Sequence, residues 1–222
     1  MTYILWDWNG TLLDDIDAEV ASLNAMLVKR GHAPVTKEFF RENFSFPARR
    51  FYQLVGMDVP DDQWDALAQE YHDTYHAQEY GLNRDAIAAL ELVKAKGAGQ
   101  SVISALHQQY LDQETRRFGV AGYMDHIYGV DNLGGGSKLS RARELMKSLD
   151  RAEPRGVARR TMAAEFVLIG DSIHDKEVAE ALGVRCVLFS GGSHSRARLL
   201  PLAPVGDTLE ECVELALNGG RS

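Results

Sequence analysis

Five apolar runs, each as long as a typical β-strand, constrain the fold of this chain most strongly. They cover Tyr3 to Trp6, Ser101 to Ile103, His126 to Val130, Phe166 to Ile169, and Cys186 to Phe189. Stretches with helical apolar spacing separate the later runs. Short buried strands that alternate with helices are typical of parallel sheets. The pattern therefore predicts an α/β fold, with a parallel sheet covered by helices on both faces.

The first two runs are separated by about 90 residues in which no strand is predicted. Ile16, Val20, Leu23 and Leu27 fall at helical spacing there, and a second such pattern runs from Asp61 to Tyr75. We therefore predict a small helical domain over residues 15–80, inserted into a core domain formed by residues 1–14 and 81–222. A chain of 222 residues with 45% hydrophobic content is long enough for one core and one smaller accessory domain.

The overall composition argues against several classes of partner. The formal charge of −8 disfavours a nucleic-acid surface, which needs basic patches. The sequence contains no apolar stretch of about 18 residues and no secretory signal pattern at its N-terminus, so we expect a cytoplasmic protein without a membrane partner. Cys186 and Cys212 lie in apolar strand and helix patterns, which favours core residues over a disulfide.

Polar residues follow four of the five runs. The segment Asp7 to Asp14 follows the first run, Ser104 the second, Lys138 comes soon after the third, and Gly170 to Asp175 follows the fourth. Ligands of open parallel sheets bind beyond the carboxyl ends of the strands. Two carboxylates from separate strands, a lysine and a hydroxyl at this edge suggest a hard-cation site that faces an anion. Mg²⁺ prefers one or two carboxylates, waters and phosphate oxygens of the substrate. Asp7 could attack phosphorus, with Lys138 and Ser104 holding the phosphoryl oxygens.

These motifs resemble the haloacid dehalogenase superfamily, and within it the phosphoglycolate phosphatase-like branch. That family opens with Asp-x-Asp-Gly-Thr-Leu, continues with a strand-end Ser or Thr and a Lys, and closes with Gly-Asp-x-x-x-Asp. The matching positions are Asp7 to Leu12, Ser104, Lys138, and Gly170 to Asp175. The resemblance implies a Rossmann-like three-layer core with a helical cap, and a Mg²⁺-dependent phosphatase. It would act on a small phosphorylated metabolite through an aspartyl-phosphate intermediate.

The resemblance also implies individual roles at the metal. Asp7 would be the nucleophile and a magnesium ligand. Asn9 would offer its backbone carbonyl to the metal, and Asp171 its carboxylate. Asp175 would be an outer ligand or a partner of Lys138.

Further residues are expected to contact the substrate. Thr11 and Ser104 would contact the phosphoryl group, as the resemblance implies. Arg49 and Arg50, in the cap, either bind a second anionic group of the substrate or form a solvated pair. The roles of His107 and His174 stay open, with a substrate contact as one reading for each.

The main departure from the family pattern is Asn9, which stands where the phosphatases carry a second aspartate as general acid and base. Asparagine donates a hydrogen bond but cannot carry a proton. We expect a slow phosphatase, one that needs a good leaving group, or a different reaction on the same scaffold. The alternatives are a carbon–phosphorus hydrolase similar to phosphonoacetaldehyde hydrolase, with Lys29 or Lys37 as a Schiff-base lysine, and a phosphate-binding module with weak catalysis. A monomer and a homodimer are both compatible with the sequence.

Overall fold

The computed structural model describes residues 2–133, 137–151 and 165–219. Within these ranges, six parallel strands form the main sheet in the order β5-β4-β1-β6-β7-β8, and β2 pairs antiparallel with β3. The strands are β1 (Thr2–Trp6), β2 (Leu13–Asp14), β3 (Gly81–Leu82), β4 (Gly99–His107), β5 (Ile127–Val130), β6 (Glu165–Gly170), β7 (Arg185–Phe189) and β8 (Val205–Gly206).

Helices occupy both faces of the sheet and most of the insertion between β2 and β3. They are α1 (Ile16–Lys29), α2 (Lys37–Asn43), α3 (Ala48–Leu54), α4 (Trp64–His76), α5 (Ala86–Ala95), α6 (Gln108–Arg117), α7 (Leu139–Arg151), α8 (Ile173–Leu182), α9 (Arg196–Leu199) and α10 (Leu209–Asn218). Short 3-10 turns cover Asp61–Gln63 and Ala121–Tyr123. None of the described helices has the length and apolar character needed to cross a membrane.

The alternation of side chains along β1 explains the layered core. Ile4 and Trp6 point into one hydrophobic cluster, and Tyr3 and Leu5 into a second cluster on the opposite face. The first cluster contains residues of α5 and α10, and the second contains residues of α7 and α8. The predicted α/β class, with helices on both faces of a parallel sheet, is therefore confirmed. Cys186 and Cys212 are buried free thiols, as expected of core residues.

Each of the five apolar runs overlaps a strand of the sheet, but the strand boundaries differ in two ways from the prediction. β4 continues past Ser104 to His107, with a register shift between Ile103 and His107. The two-residue strands β2 and β3 occur where no strand was predicted, and β8 was also missed. Two residues are too few to show a period in the sequence, which is why these strands gave no signal.

A third hydrophobic cluster lies within the predicted cap and includes Ile16, Leu23, Phe51 and Leu67. Pairing of Leu13 with Leu82 and Asp14 with Gly81 joins the two chain connections that lead into and out of this insertion. The division at residues 15–80 stays a prediction. Its core part, 81–222, includes residues 134–136, 152–164 and 220–222, which lie outside the described residues.

Candidate active site

Three carboxylates meet beyond the carboxyl ends of the central strands. Asp7 follows β1, Asp171 follows β6, and Asp175 lies in the first turn of α8. One oxygen from each of the three lies within 4.8 Å of the others. Because β1 and β6 are parallel neighbours in the sheet, their ends bring Asp7 and Asp171 to the same edge.

Lys138 binds two of these carboxylates at once. It immediately precedes α7, and its Nζ lies 2.5 Å from Oδ1 of Asp7 and 2.6 Å from Oδ1 of Asp175. The lysine is 2% exposed. Burial lowers its pKa, but the carboxylates of Asp175 and Asp7 outweigh burial and raise the pKa above its usual range. Lys138 is therefore a permanent cation at the centre of the site.

The pKa values of the two carboxylates that pair with Lys138 are shifted in opposite directions. Burial raises the pKa of Asp7 well above its usual value, and the nearby carboxylate of Asp175 raises it further. The pKa of Asp175 is lowered, because the ammonium of Lys138 and the hydroxyl of Ser172 together overcome the effect of burial. Of these two carboxylates, Asp7 is therefore the one whose ionised form an additional cation would stabilise more.

A capping box fixes Asp175 at the start of α8. The Ser172 side chain accepts a hydrogen bond from the backbone NH of Asp175, and the Asp175 carboxylate accepts one from the backbone NH of Ser172. A Cβ at Gly170 would lie 2.2 Å from Cγ of Asp175, so a side chain there would displace the carboxylate.

Asp171 is held by groups from two other loops. Its Oδ2 accepts hydrogen bonds from the backbone NH (2.5 Å) and the hydroxyl (2.6 Å) of Ser193, and its Oδ1 accepts one from Thr11 Oγ1 at 3.2 Å. Burial raises the pKa of Asp171 to about 6, with the Asp175 charge adding to the shift. A Cβ at Gly192 would lie 2.2 Å from Oδ2 of Asp171, so this close approach requires glycine.

Three carboxylates of this kind fit a magnesium ion. All offer hard oxygen ligands, as Mg²⁺ prefers, and Asp7 and Asp171 both have raised pKa values that a bound cation would lower. Thr11 is fully buried and is absent from the described residues that line the cavity. The structure places Thr11 Oγ1 against Asp171, and its contact with the phosphoryl group stays a prediction.

The Asn9 side chain is bound to an acidic group that the sequence analysis overlooked. Its Nδ2 donates to Oδ2 of Asp15 at 2.7 Å and lies 3.1 Å from the Tyr75 hydroxyl, which itself donates to Asp15 at 2.6 Å. The backbone NH of Gly10 donates to the other Asp15 oxygen at 2.7 Å. Burial raises the pKa of Asp15 to about 6, although these donors partly offset the shift.

A cavity of about 150 Å³ opens between this edge of the sheet and helices α1 to α4. Asp7, Asn9, Ser104, Lys138 and Asp171 line its floor. Its other wall is dominated by aromatic side chains that come from residues 40–75, namely Phe40, Phe44, Phe46, Phe51, Tyr52, Trp64, Tyr71 and Tyr75. We refer to these eight side chains as the aromatic wall.

The structure brings neither Arg49 nor Arg50 to the described lining of this cavity. Arg49 pairs with Asp61 at 2.5 Å, donates to the Val59 carbonyl at 2.7 Å and lies over the ring of Trp64. Arg50 is exposed. Arg49 is thus held by partners within the cap and Arg50 faces solvent, and binding of a second anion by either residue stays a prediction.

Other residues singled out in the sequence divide between the cavity and the surface. His174 lines the cavity and packs against Phe46, with ring centroids 4.7 Å apart, whereas His107 is absent from the described lining. Lys29 pairs with Glu70 and Lys37 with Asp17, and both lysines have substantially exposed side chains outside the described lining.

Polar contacts hold the cap against the loop that follows β7. The Arg41 guanidinium donates to the carbonyls of Ser190 and His194, and Arg198 donates to the Arg41 carbonyl at 2.8 Å. Nε2 of His194 donates to the Phe44 carbonyl at 2.9 Å, while its Nδ1 accepts from the Ile173 backbone NH at 2.9 Å. These contacts fix the position of Arg41 and Phe44 of the cap against the core domain.

With this geometry established, the sequence can be compared with known proteins. Residues 4–189 match the family described as haloacid dehalogenase-like hydrolase. The chain belongs to the haloacid dehalogenase-like hydrolase family. It is also similar to a phosphoglycolate phosphatase of Xylella fastidiosa strain 9a5c, with 25% identity over 211 residues that cover 94% of this chain and 88% of the relative. A phosphoglycolate phosphatase of Pseudomonas fluorescens is 25% identical over 202 residues, or 87% of this chain and 71% of the relative.

Solved structures agree with this membership of the haloacid dehalogenase-like hydrolases. A predicted phosphatase from Clostridium acetobutylicum superimposes with a TM-score of 0.77 at 21% identity, covering 98% of both chains. A haloacid dehalogenase-like family hydrolase from Streptococcus pneumoniae has a TM-score of 0.73 at 18% identity, over 96% of this chain and 97% of the other. At these identities the likeness shows the fold.

Sequence reasoning missed several residues that this hydrolase brings to its site. Ser193 follows β7 after two glycines, and the preference for ligands at strand ends could have indicated it. Asp15 directly follows the first motif, which was also a usable signal. Glu19 and Tyr75 reach the site only because α1 and α4 are folded over it, and the spacing of the sequence does not reveal that position.

Proposed function

We propose that this protein is a Mg²⁺-dependent phosphomonoesterase that uses Asp7 as its nucleophile and acts on a small phosphorylated metabolite. The convergence of Asp7, Lys138 and Asp171 at one end of the cavity supports this function above all. Membership of a hydrolase family and similarity to phosphoglycolate phosphatases support the same reaction class.

In the first step, a carboxylate oxygen of Asp7 attacks phosphorus, and the bond between phosphorus and the ester oxygen breaks. The leaving alkoxide takes a proton from solvent water and departs as the alcohol. In the second step, water attacks phosphorus of the aspartyl-phosphate, which releases phosphate and restores Asp7. Lys138, as a permanent cation, offsets negative charge on the phosphoryl oxygens, and Ser104 contacts them from within β4.

Asp7, Asp171 and the backbone carbonyl of Asn9 are the groups that would hold Mg²⁺. When bound, the ion supplies Lewis-acid stabilisation of charge on the phosphoryl group. Asp175 is engaged by Lys138 and by the start of α8, so we assign it the position of Lys138 partner. Ser193 and Thr11 keep Asp171 oriented.

Asn9 gives the leaving group no proton. General acid–base help is typically worth about 10²- to 10⁴-fold in rate. We therefore expect a strong dependence on the leaving group, with aryl phosphates hydrolysed faster than alkyl phosphates of similar size. Lys29 and Lys37, the lysines considered for a Schiff base, lie away from the described cavity lining, and nothing there favours carbon–phosphorus cleavage.

The test is a panel of phosphate esters assayed with and without Mg²⁺, comparing the parent protein with Asp7→Asn. We expect phosphate release that needs Mg²⁺ and falls to background in the variant. Asp73→Asn, an exposed aspartate of α4, is the matched control and should retain parental turnover. Full turnover by Asp7→Asn would reject the nucleophile. No phosphate release over many hours, together with thermal stabilisation by inorganic phosphate, would favour a binding module instead.

A further inference from the structure

Glu19, in the first helix of the cap, is a partly buried glutamate for which the proposed reaction has no use. It lines the cavity, and its Oε2 is inaccessible to solvent and has no hydrogen-bond partner among the described residues. Burial raises its pKa well above the usual value, and the negative charges of Asp15, Asp171 and Asp7 raise it further. A buried carboxylate oxygen without a partner is costly, so a ligand that supplies a donor or a positive charge would stabilise it.

The surroundings of Glu19 are aromatic. Glu19, Tyr52 and Tyr71 line the same cavity. Burial raises the pKa of both tyrosine hydroxyls, and the charge of the Glu19 carboxylate raises it further. Both belong to the aromatic wall. A carboxylate beside several aromatic faces is the combination that binds alkylated ammonium groups, because the ring faces attract cations and the carboxylate neutralises them.

The cavity offers little to a second anion on the substrate. Of the described residues that line it, the basic ones are Lys138, His72 and His174. Lys138 is already paired with Asp7 and Asp175. Burial lowers the pKa of His72, which disfavours its cationic form, and the His174 ring packs against Phe46.

We propose that the alcohol part of the substrate carries an ammonium group, which binds against the aromatic wall beside Glu19. The substrate class is thus phosphate esters of amino alcohols. This inference rests on the proposed phosphomonoesterase function and specifies its substrate. A leaving group that carries a carboxylate, as in phosphoglycolate, would instead meet Glu19 and uncharged rings.

Three phosphate esters of primary alcohols distinguish the effect of charge on the alcohol part from the effect of its size. Phosphocholine carries a trimethylammonium group, neohexyl phosphate has carbon in place of that nitrogen, and phosphoglycolate carries a carboxylate. We expect kcat/KM for phosphocholine to exceed that for neohexyl phosphate at least tenfold, on the order of a cation–π contact at a desolvated site. Phosphoglycolate should be the poorest of the three.

The Glu19→Gln variant tests the carboxylate itself. It should lose about tenfold in kcat/KM for phosphocholine while staying within about threefold of the parent for neohexyl phosphate. Turnover of neohexyl phosphate, whose alkyl group is uncharged, also shows that the variant is folded. Glu79→Gln, an exposed glutamate of the cap, is the matched control and should change neither value. Equal losses for both esters, or faster hydrolysis of phosphoglycolate by the parent, would overturn the proposal.

A binding measurement distinguishes failure of this inference from failure of the proposed function. Calorimetric titration of the Asp7→Asn variant with phosphocholine and neohexyl phosphate needs no turnover. Tighter binding of phosphocholine by tenfold or more would support the ammonium site even if no ester were hydrolysed. Equal affinities for the two esters would reject the site, even if the protein proved to be an efficient phosphatase.

Discussion

Replacing Asn9 with aspartate restores the carboxylate that related phosphatases carry at this position, but the structure predicts a cost. Nδ2 of Asn9 donates to Oδ2 of Asp15 at 2.7 Å. In the Asn9→Asp variant this donor becomes a second acceptor that faces a buried carboxylate. The hydrogen bond to a charged group is lost, at about 1.5 to 3 kcal/mol, and a like charge takes its place.

The size of the repulsion follows from the distance between the two carboxylates of the variant. Two unit charges about 4 Å apart repel by about 4 kcal/mol at an effective dielectric constant near 20, which corresponds to about 3 pKa units. The pKa of Asp15 is already raised to about 6 by burial. The two carboxylates at positions 9 and 15 should therefore share one proton at pH 7, and titrate as a pair.

A shared proton has opposite effects on turnover and on stability. It gives position 9 an acid that can protonate the leaving group, so we expect Asn9→Asp to raise kcat for alkyl phosphates by up to about 10²-fold. Both carboxylates ionise in the unfolded chain at pH 7, so the folded state must bind a proton that the unfolded state lacks. We expect the free energy of unfolding to fall by about 2 to 4 kcal/mol.

The double variant Asn9→Asp with Asp15→Asn separates the two effects. It exchanges amide and carboxylate, so a donor again faces an acceptor, and the stability should return to within about 1 kcal/mol of the parent. Turnover should stay above the parental value. Urea unfolding at pH 7 and steady-state kinetics on one alkyl phosphate measure both quantities. Single and double variants of equal stability would refute the coupling to Asp15. Unchanged or lower kcat in both would refute the missing acid.

Three further predictions concern the metal, the lysine and the cap. Millimolar Mg²⁺ should raise the melting temperature of the parent but not of Asp171→Asn, and equal shifts would place the ion elsewhere. Lys138→Met should destabilise the protein by about 3 to 5 kcal/mol in urea unfolding at pH 7, because two buried carboxylates lose their cation, and it should abolish turnover; a variant as stable as the parent would contradict this. Burial lowers the pKa of His194 to about 4. Stability from its neutral form should be present above about pH 6.5 and lost as the pH falls towards 4, by up to about 3 kcal/mol. His194→Asn should have a shallower pH dependence of urea unfolding over this range, and an unchanged slope would contradict the assignment.

The sequence was informative where chemistry follows a strand. Asp7 and Asp171 each come directly after an apolar run, and parallel neighbours in a sheet end at the same edge, so their proximity followed from the order of runs and motifs. Lys138 needed more than periodicity, since it lies eight residues beyond the end of β5. Its place soon after the third apolar run suggested a position in the site, and the resemblance to a family implied the same position.

Contacts between the cap and the core were beyond the reach of sequence patterns. Arg49 was expected near the substrate, but Asp61 and the Trp64 ring hold it within the cap. Helical periodicity identifies the buried face of a helix without telling which neighbour covers that face. For this reason Tyr75 was read as part of an apolar stripe, although its hydroxyl binds Asp15.

The environment of Asn9 connects these observations. In the family pattern a carboxylate at this position faces the substrate, whereas here the nearby carboxylate belongs to Asp15 and receives the amide of Asn9 and the hydroxyl of Tyr75 from the cap. These hydrogen bonds tie the loop that follows β1 to α1 and α4. The same two helices carry Glu19 and part of the aromatic wall. A substitution at position 9 should therefore alter cap stability as well as proton transfer. Opening of the cap, measured by hydrogen exchange of α4, should increase in Asn9→Asp and return to the parental rate when Asp15→Asn is added.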